Sequence, residues 1–235
     1  MKEEEQDKKQ RKRLVHASLF SGFGAPDLAA EWMGWQNAFH CEIDDFCNTI
    51  LNYWFKDAKS YTDVTTTDFR EWRGKINVLT GGFPCQPFSV AGQRKGADDN
   101  RYLWPHMLRA IHEIRPDWVI GENVAGILTM VQPGQETEVG SQSTLFGESE
   151  PVFKRRQQYV VETICRDLER EGYSVQPVLI PACSVGAPHR RDRVWFIAHY
   201  PLNIFSEIPF YRLSLYISYL QMFSFGLNTH EISLF

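Results

Sequence analysis

The chain has 235 residues, of which 43% are hydrophobic and 23% are charged, and its net charge is −4. These proportions are ordinary for a globular protein and exclude a chain that is disordered throughout. The net charge does not itself indicate a nucleic-acid-binding protein, although a nearly neutral chain can still carry a basic face.

The sequence carries no signal for export or membrane insertion. Its N-terminus is charged and lacks the apolar segment of a secretory signal, and no run reaches the ~20 apolar residues of a spanning helix. The five cysteines are odd in number and form no Cys-x-x-Cys pair, which favours reduced thiols over a disulfide framework or a zinc site. We expect a cytoplasmic protein with no metal and no membrane partner, and a disordered charged tail over residues 1–13.

The first predicted strand, Leu14–Phe20, is followed by the glycine turn Ser21-Gly22-Phe23-Gly24 and a helix from about Pro26 to Trp32. Pro26 suits a first helical turn, and Asp27 suits the positive end of the helix dipole. A strand, a glycine turn and a helix let a nucleotide-like ligand approach backbone N–H groups. Two glycines at this spacing are a weak signal by themselves, since many α/β turns contain them.

A second strand is predicted over Asn37–Cys41, and a second helix over Asp45–Trp54. Glu42 follows the strand about 20 residues after the glycines, where an acidic residue binds a ribose hydroxyl in Rossmann-like folds. Glu42 or Asp44 could instead cap the second helix. We assign the cap to Asp44 and the ribose to Glu42, because Glu42 is nearer the end of the strand.

A third strand is expected to end at Asp63-Val64, with Thr65–Asp68 opening a short helix, and a fourth strand is expected over Ile76–Leu79. The fourth strand leads through two glycines into Pro84-Cys85-Gln86-Pro87. The two prolines restrict the backbone around Cys85 and hold its thiol beyond the strand's end, where open α/β sheets bind ligands. Cys85 is therefore either a nucleophile or a small buried apolar residue, as most free cysteines are.

Residues 90–100 contain glycines and basic side chains and are expected to form a mobile flap that meets phosphates. A helix over Tyr102–Ile114 and a fifth strand over Pro116–Ile120 follow. The fifth strand leads into Glu122-Asn123-Val124. Because parallel strands end at the same sheet edge, we expect these side chains to lie near Cys85.

The last third of the chain is less regular. Residues 132–150 are predicted to form a flexible loop, residues 152–171 a helix, and Tyr173–Ile180 and Arg193–His199 a pair of strands. The connection between these strands carries His189-Arg190-Arg191-Asp192-Arg193, which could be a solvated charge cluster. The expected fold is α/β, with a mostly parallel sheet and helices on both faces. Residues 201–235 are rich in Phe, Tyr, Leu, Ile and Ser and contain no recognisable motif.

In their order and spacing, these motifs resemble the cytosine-C5 DNA methyltransferase family. The resemblance covers about Leu14–Ala198, and its most specific pieces are Pro84-Cys85-Gln86, Glu122-Asn123-Val124 and Arg191-Asp192-Arg193. It implies the Rossmann-like fold of S-adenosylmethionine-dependent methyltransferases over residues 14–200. It also implies S-adenosylmethionine as cofactor and double-stranded DNA with a flipped cytosine as substrate.

The resemblance assigns roles to individual residues. The catalytic residues would be Cys85 as nucleophile, Glu122 as the acid near N3 of the base, and Arg191 and Arg193. The cofactor-binding residues would be Phe20, Gly22, Gly24, Glu42, Ile43, Asp63, Val64 and Pro84. The substrate-binding residues would be Gln86, Ser89, Asn123 and Val124, with Asn123 also a scaffold for the loop of Glu122.

The chain departs from the family pattern after its last predicted strand. Family members continue into a target-recognition domain and then into a closing segment that completes the cofactor pocket, and residues 201–235 resemble neither. We therefore expect a C-terminally truncated member with an atypical apolar tail. It would be a DNA (cytosine-5-)-methyltransferase, a catalytically incomplete cofactor-binding remnant, or one half of a split enzyme whose recognition domain is on a separate chain.

Overall fold

The structure is a computed structural model, and it describes residues 13–84, 102–132, 136–143, 149–155 and 158–201. The helices are α1 (Ala25–Trp32), α2 (Asp45–Trp54), α3 (Trp104–Ile114) and α4 (Val160–Arg170), with short 3-10 turns at Arg70–Trp72, Ala125–Thr129 and Ala182–Val185. The strands are β1 (Val15–Leu19), β2 (Gln36–Cys41), β3 (Lys59–Tyr61), β4 (Val78–Gly81), β5 (Trp118–Val124), β6 (Val131–Gln132), β7 (Glu136–Ser143), β8 (Ser149–Arg155), β9 (Gln158–Tyr159), β10 (Ser174–Ile180) and β11 (Arg193–His199).

Seven strands form one sheet in the order β10-β11-β5-β4-β1-β2-β3. Strands β1 to β5 run parallel to one another, whereas β11 is antiparallel to both β5 and β10. The mostly parallel sheet is therefore confirmed. The strand order reverses at β1, which has β2 on one side and β4 on the other. Ligands bind at the carboxyl ends of the strands around such a switch point.

Helices cover both faces of the sheet, as predicted. Apolar residues alternate along the strands because successive side chains point to opposite faces. One face packs against α3 and α4, through Ala17, Leu19, Leu79, Met107, Ile111, Ile164 and Leu168. The opposite face packs against α1, through Ala29, Ala30, Val78, Ile120 and Trp195.

Local signals at the starts of α1 and α2 are confirmed. Helix α1 begins at Ala25 with Pro26 in its first turn. Helix α2 is capped by Asp44, whose side chain accepts a hydrogen bond from the backbone N–H of Cys47 at 2.9 Å. The cap therefore belongs to Asp44, and Glu42 is left for another role.

Three predicted boundaries in the third and fifth βα units are wrong. Strand β3 ends at Tyr61. The short helix predicted to open at Thr65–Asp68 begins instead at Arg70, after a turn that is held by hydrogen bonds from Thr65 N and Oγ1 to Asp63 Oδ1. Strand β5 continues to Val124 rather than ending at Ile120, because it pairs along its length with β11.

The chain between β5 and β10 differs most from the prediction. Strands β7 and β8 form an antiparallel hairpin where a loop was expected, and the helix expected from Val152 begins at Val160. The buried positions Val160, Ile164 and Leu168 repeat every fourth residue. This helical pattern of apolar residues starts at Val160, because the position four residues earlier is the charged Arg156.

The remaining predictions concern residues that the structure does not describe. Cys85, Gln86, Ser89 and the expected flap at residues 90–100 lie outside the described residues, as do residues 1–12 and 202–235. In the part of the chain that is described, no helix combines the length and apolar character needed to cross a membrane.

Candidate active site

A cavity of about 670 Å³ opens at the carboxyl edge of β1, β4 and β5. Its volume is typical of sites for small-molecule ligands. It is lined by Phe20, Ser21, Gly22, Phe23, Gly24, Ala25, Pro26, Leu28, Glu31, Ile50, Trp54, Phe55, Thr80, Gly81, Gly82, Ile120, Glu122, Arg191 and Trp195. The cavity thus connects the glycine turn after β1 with two predicted catalytic residues, Glu122 and Arg191.

The glycine turn leaves open space on the cavity side. Gly22 has a φ of +54°, and a Cβ built on it would meet nothing within 4 Å. Gly24 has a φ of +85°, and a Cβ there would lie 2.6 Å from the Phe55 ring. Gly22 therefore leaves room for a ligand to approach the backbone, whereas Gly24 lets the turn pack closely against the end of α2.

Glu42 is held at the glycine turn by two backbone groups. Gly22 N–H donates to Glu42 Oε2 at 2.8 Å, and Asp44 N–H donates to Oε1 at 2.9 Å. A carboxylate has about four lone-pair positions, so each oxygen can accept a further hydrogen bond. The carboxylate of Glu42 is therefore oriented by the chain and still able to bind hydroxyl groups of a ligand.

Of the other predicted cofactor residues, Phe20 lines the cavity. The lining does not include Glu42, Ile43, Asp63, Val64 or Pro84. Ile43 follows Glu42 and is 75% exposed. Val64 is buried, and its carbonyl accepts a 2.6 Å hydrogen bond from Arg109 Nη2. Asp63 accepts the turn hydrogen bonds from Thr65, which lower the pKa of its carboxyl. Ile43 follows the end of β2 in the chain, and Asp63 and Val64 follow the end of β3.

Glu122 forms an ion pair with Arg193 at the end of β5. Arg193 Nε lies 2.7 Å from Glu122 Oε1, and both side chains are largely buried. Burial raises the pKa of Glu122, while the charges of Arg193 and Arg191 oppose that rise. A Cβ on Gly82 would lie 3.2 Å from Glu122 Oε2. The missing side chain at Gly82 therefore lets the segment that leads to Cys85 pass close to this carboxyl.

Asn123 connects the end of β5 to the segment that follows β4. Its Nδ2 donates to the carbonyl of Phe83 at 2.8 Å, and its Oδ1 accepts from Val124 N–H at 2.9 Å. Asn123 is buried, whereas the neighbouring Val124 is 45% exposed. The amide of Asn123 therefore points into the fold and contacts Phe83. Phe83 is two residues before Cys85 in the chain.

The connection before β11 places both arginines of the predicted pair near Glu122. Arg193 begins β11 opposite Val124. Arg191 lines the cavity and has an unusual positive φ of 33°. Glu122, Arg191 and Arg193, to which the resemblance assigned catalytic roles from two separate motifs, are therefore brought together at the end of β5.

One group of residues near the cavity was not predicted. Asp27, interpreted from the sequence as a residue for the helix dipole, is fully buried and accepts hydrogen bonds from Ser18. His16 and Ser18 alternate on β1 with the apolar Ala17 and Leu19. Polar residues at every second position of a buried strand are the sequence signal that could have indicated this cluster.

The chain matches a known family over most of its length. A family model described as C-5 cytosine-specific DNA methylase matches residues 14–139 and 149–214. The Type II methyltransferase M.Eco47II of Escherichia coli is 38% identical over 183 residues, which are 77% of this chain and 38% of that protein. The Type II methyltransferase M.AquIA of Picosynechococcus sp. is 30% identical over 198 residues, which are 80% of this chain and 72% of that protein.

A solved structure agrees with this match. A putative DNA modification methyltransferase encoded within a prophage of E. coli superposes with a TM-score of 0.57 and 26% identity, covering 80% of this chain and 47% of that one. The methyltransferase fold therefore agrees with the expectation from the sequence. This chain spans less than half the length of both M.Eco47II and the prophage protein.

Proposed function

The chain belongs to the C-5 cytosine-specific DNA methylase family, and from that membership we propose that it transfers a methyl group from S-adenosylmethionine to C5 of cytosine in DNA. The observation that carries this proposal is the single cavity that runs from the glycine turn to the partly buried carboxyl of Glu122. One end of that cavity suits a nucleoside cofactor. The other end offers an acid next to the segment that leads to Cys85.

The residues around the glycine turn fit S-adenosylmethionine. The open space at Gly22 admits a ligand, and the oriented carboxylate of Glu42 can accept hydrogen bonds from ribose hydroxyls. We assign the remaining cofactor contacts to Phe20, Gly24, Ile43, Asp63, Val64 and Pro84. When bound, S-adenosylmethionine supplies an electrophilic methyl group.

The residues at the other end fit activation of a cytosine. C5 of cytosine is a weak nucleophile, and attack of the Cys85 thiolate on C6 makes C5 nucleophilic if N3 is protonated at the same time. In this proposal Arg191 and Arg193 favour the thiolate form of Cys85. Loss of the C5 proton after transfer then expels the thiolate of Cys85. The target base is out of reach inside a duplex, so it has to be flipped out of double-stranded DNA.

Glu122 is the proton donor in this proposal. Its carboxyl must be protonated to donate to N3, and the burial that raises its pKa favours that form. The ion pair with Arg193 holds the carboxyl in place, and the charges of Arg193 and Arg191 limit the rise in its pKa. Gln86 and Ser89, which follow Cys85, and Val124 are assigned to the substrate, and Asn123 to the support of the loop.

The test is to incubate the purified chain with DNA and tritiated S-adenosylmethionine, hydrolyse the DNA, and separate the bases. The proposal predicts label in 5-methylcytosine, and none with a Cys85→Ser variant. Label in another base, or equal labelling by the variant, would contradict it.

A second candidate is that DNA recognition resides on a separate chain. The observation that favours it is the match to M.AquIA. The 198 matched residues make up 72% of that protein, so a relative of this chain need not be much longer than the matched region. In that case the chain alone binds S-adenosylmethionine but neither binds nor methylates DNA, and adding the partner restores both. A remnant without activity would bind the cofactor and gain nothing from any partner. Calorimetric titration with the cofactor, run beside the labelling assay, separates these cases.

A further inference from the structure

Six polar side chains form a buried network beneath the glycine turn. They are His16, Ser18, Ser21, Asp27, Asn37 and Thr80, and each is at most 8% exposed. Burying polar groups is unfavourable unless they are hydrogen-bonded to each other. The network therefore requires a specific arrangement of donors and acceptors, and none of its members has a role in the proposed transfer.

Within this network, a relay of hydrogen bonds leads from β2 to Asp27. The N–H of Cys41 donates to Ser21 Oγ at 3.2 Å, Ser21 Oγ lies 2.7 Å from Ser18 Oγ, and Ser18 Oγ donates to both oxygens of Asp27 at 3.0 and 2.9 Å. The N–H of Ser21 also donates to the carbonyl of Cys41 at 3.2 Å. Ser21 is thus held against the end of β2 through both its backbone and its side chain.

We infer that Asp27 is a positioning residue of the cofactor site, which acts through Ser18 and Ser21 to fix the glycine turn against β2. Ser21 precedes Gly22, and Cys41 precedes Glu42. The relay holds Ser21 against Cys41. It thereby fixes the position of Gly22 relative to Glu42, and with it the 2.8 Å distance from Gly22 N to Glu42 Oε2. This inference rests on the proposed function, since it concerns the same cofactor site.

The direction of the relay depends on whether Asp27 carries a proton. Ionised Asp27 can only accept, so every hydrogen points one way, from Cys41 through Ser21 and Ser18 to Asp27. Protonated Asp27 donates to Ser18, whose hydrogen then turns to Ser21. The hydrogen of Ser21 is left with the carbonyls of Ser18 and Cys41, both at the longer distance of 3.3 Å. The ionised form therefore holds the turn more firmly.

Among the side chains that surround Asp27 in the network, Asp27 itself is the one expected to change its charge near neutral pH. Burial raises the pKa of Asp27 to about 7, and Glu31 on the same helix contributes to the rise. On β1, His16 Nδ1 lies 3.9 Å from Asp27 Oδ1. Burial lowers the pKa of His16 to about 4, so His16 is neutral in this range. The network side chains from β2 and β4, Asn37 and Thr80, do not titrate.

The test is calorimetric titration of the full chain with S-adenosylhomocysteine, the demethylated cofactor, at several pH values between 6 and 8. We expect the Kd at pH 6 to be about two- to tenfold weaker than at pH 8, the value of roughly one hydrogen bond. This change of Kd with pH should disappear in Asp27→Asn. It should also disappear in Ser18→Ala, which keeps Asp27 but interrupts the relay. It should persist in Asp57→Asn, which changes an exposed carboxyl in the turn after α2.

The possible outcomes separate this inference from the proposed function. A wild-type chain that binds S-adenosylhomocysteine equally at every pH overturns the inference and leaves the proposed function standing. A change of Kd with pH that survives in Ser18→Ala or Asp27→Asn overturns the inference as well. A wild-type chain that binds the compound at no pH overturns the proposed function, and the inference with it. The wild-type titration is informative even if the buried variants fail to fold.

Discussion

Arg193 Nε lies 2.7 Å from Glu122 Oε1, across the antiparallel pair formed by β5 and β11. The register places Arg193 opposite Val124, so its side chain reaches diagonally back to Glu122. Two opposed influences meet at this carboxyl: burial favours the protonated form, and the guanidinium favours the ionised form. A proton donor in the proposed reaction needs this balance, because it has to hold a proton and release it near neutral pH.

Replacing Glu122 by Gln should abolish proton donation to N3 while keeping the size of the side chain. We expect methyl transfer to DNA to fall by about 10²- to 10⁴-fold, the usual contribution of general acid catalysis. The affinity for S-adenosylhomocysteine should change little. Glu162→Gln, on the exposed side of α4, is the matched control and should keep full activity. Wild-type rates in Glu122→Gln would show that this carboxyl does not donate the proton.

Replacing Arg193 by Gln should raise the pKa of Glu122 further, because it removes the cation that opposes the effect of burial. Activity that depends on protonated Glu122 is lost as pH rises through that pKa. The alkaline limb of the pH–rate profile should therefore move to higher pH, even if the maximal rate falls. Arg190→Gln removes an arginine that pairs with Asp192 in the same connection, and it should leave the limb in place. A limb that moves to lower pH in Arg193→Gln would refute this electrostatic account.

Replacing Asn123 by Ala should uncouple the end of β5 from the segment that carries Cys85. The carbonyl of Phe83 loses its donor in a buried position, so we expect the free energy of unfolding to fall by about 1–3 kcal/mol. Methyl transfer should fall more than cofactor affinity, since the glycine turn is not involved. Urea unfolding and titration with S-adenosylhomocysteine measure the two effects. Gln176→Ala, an exposed amide on β10, controls for the loss of an amide from the sheet.

Much of the fold could be predicted from short-range signals. Apolar runs that end in glycines identified β1 and β4, and the Asp44 cap was predictable because it involves residues only three apart. The placement of Glu42 and Glu122 at the carboxyl edge of the sheet was predictable because both follow predicted strands, and parallel strands end at one edge. The role proposed for Glu122 came from the family resemblance. These features depend on local sequence and on the regular geometry of a parallel sheet.

The features that could not be predicted depend on contacts between distant parts of the chain. The Glu122–Arg193 pair requires the register of two strands about 70 residues apart, and the relay to Asp27 requires β1, α1 and β2 to meet. The β7–β8 hairpin was interpreted as a loop because its sequence is polar and contains glycine, so it lacks the apolar alternation typical of half-buried strands.

Replacing Asp27 by Asn should change how stability depends on pH. The pKa of Asp27 in the folded chain, about 7, lies above its ordinary value, so the folded state binds this proton more tightly than the unfolded state. The resulting stabilisation is lost as pH rises toward 7. Between pH 5 and pH 8 the wild type should therefore lose about 2–3 kcal/mol relative to Asp27→Asn.

The measurement is urea unfolding of both proteins at pH 5 and pH 8. The pKa of His16 is lowered by burial, so its contribution to stability has the opposite sign, increasing as pH rises. Because His16 is present in both proteins, its effect cancels to first order in the difference. Stability curves that run parallel for the two proteins would contradict a buried Asp27 that ionises near pH 7.

The most direct test of the proposed chemistry is covalent trapping on DNA that contains 5-fluorocytosine. Fluorine at C5 blocks the final elimination, so a chain that attacks C6 and completes transfer remains bonded to the DNA. With S-adenosylmethionine present, we predict a denaturant-resistant adduct that is lost in Cys85→Ser and retained in Cys183→Ser, which changes an exposed free cysteine. An adduct that survives in Cys85→Ser, or no adduct from wild-type chain with bound cofactor, would contradict transfer through Cys85 by this chain.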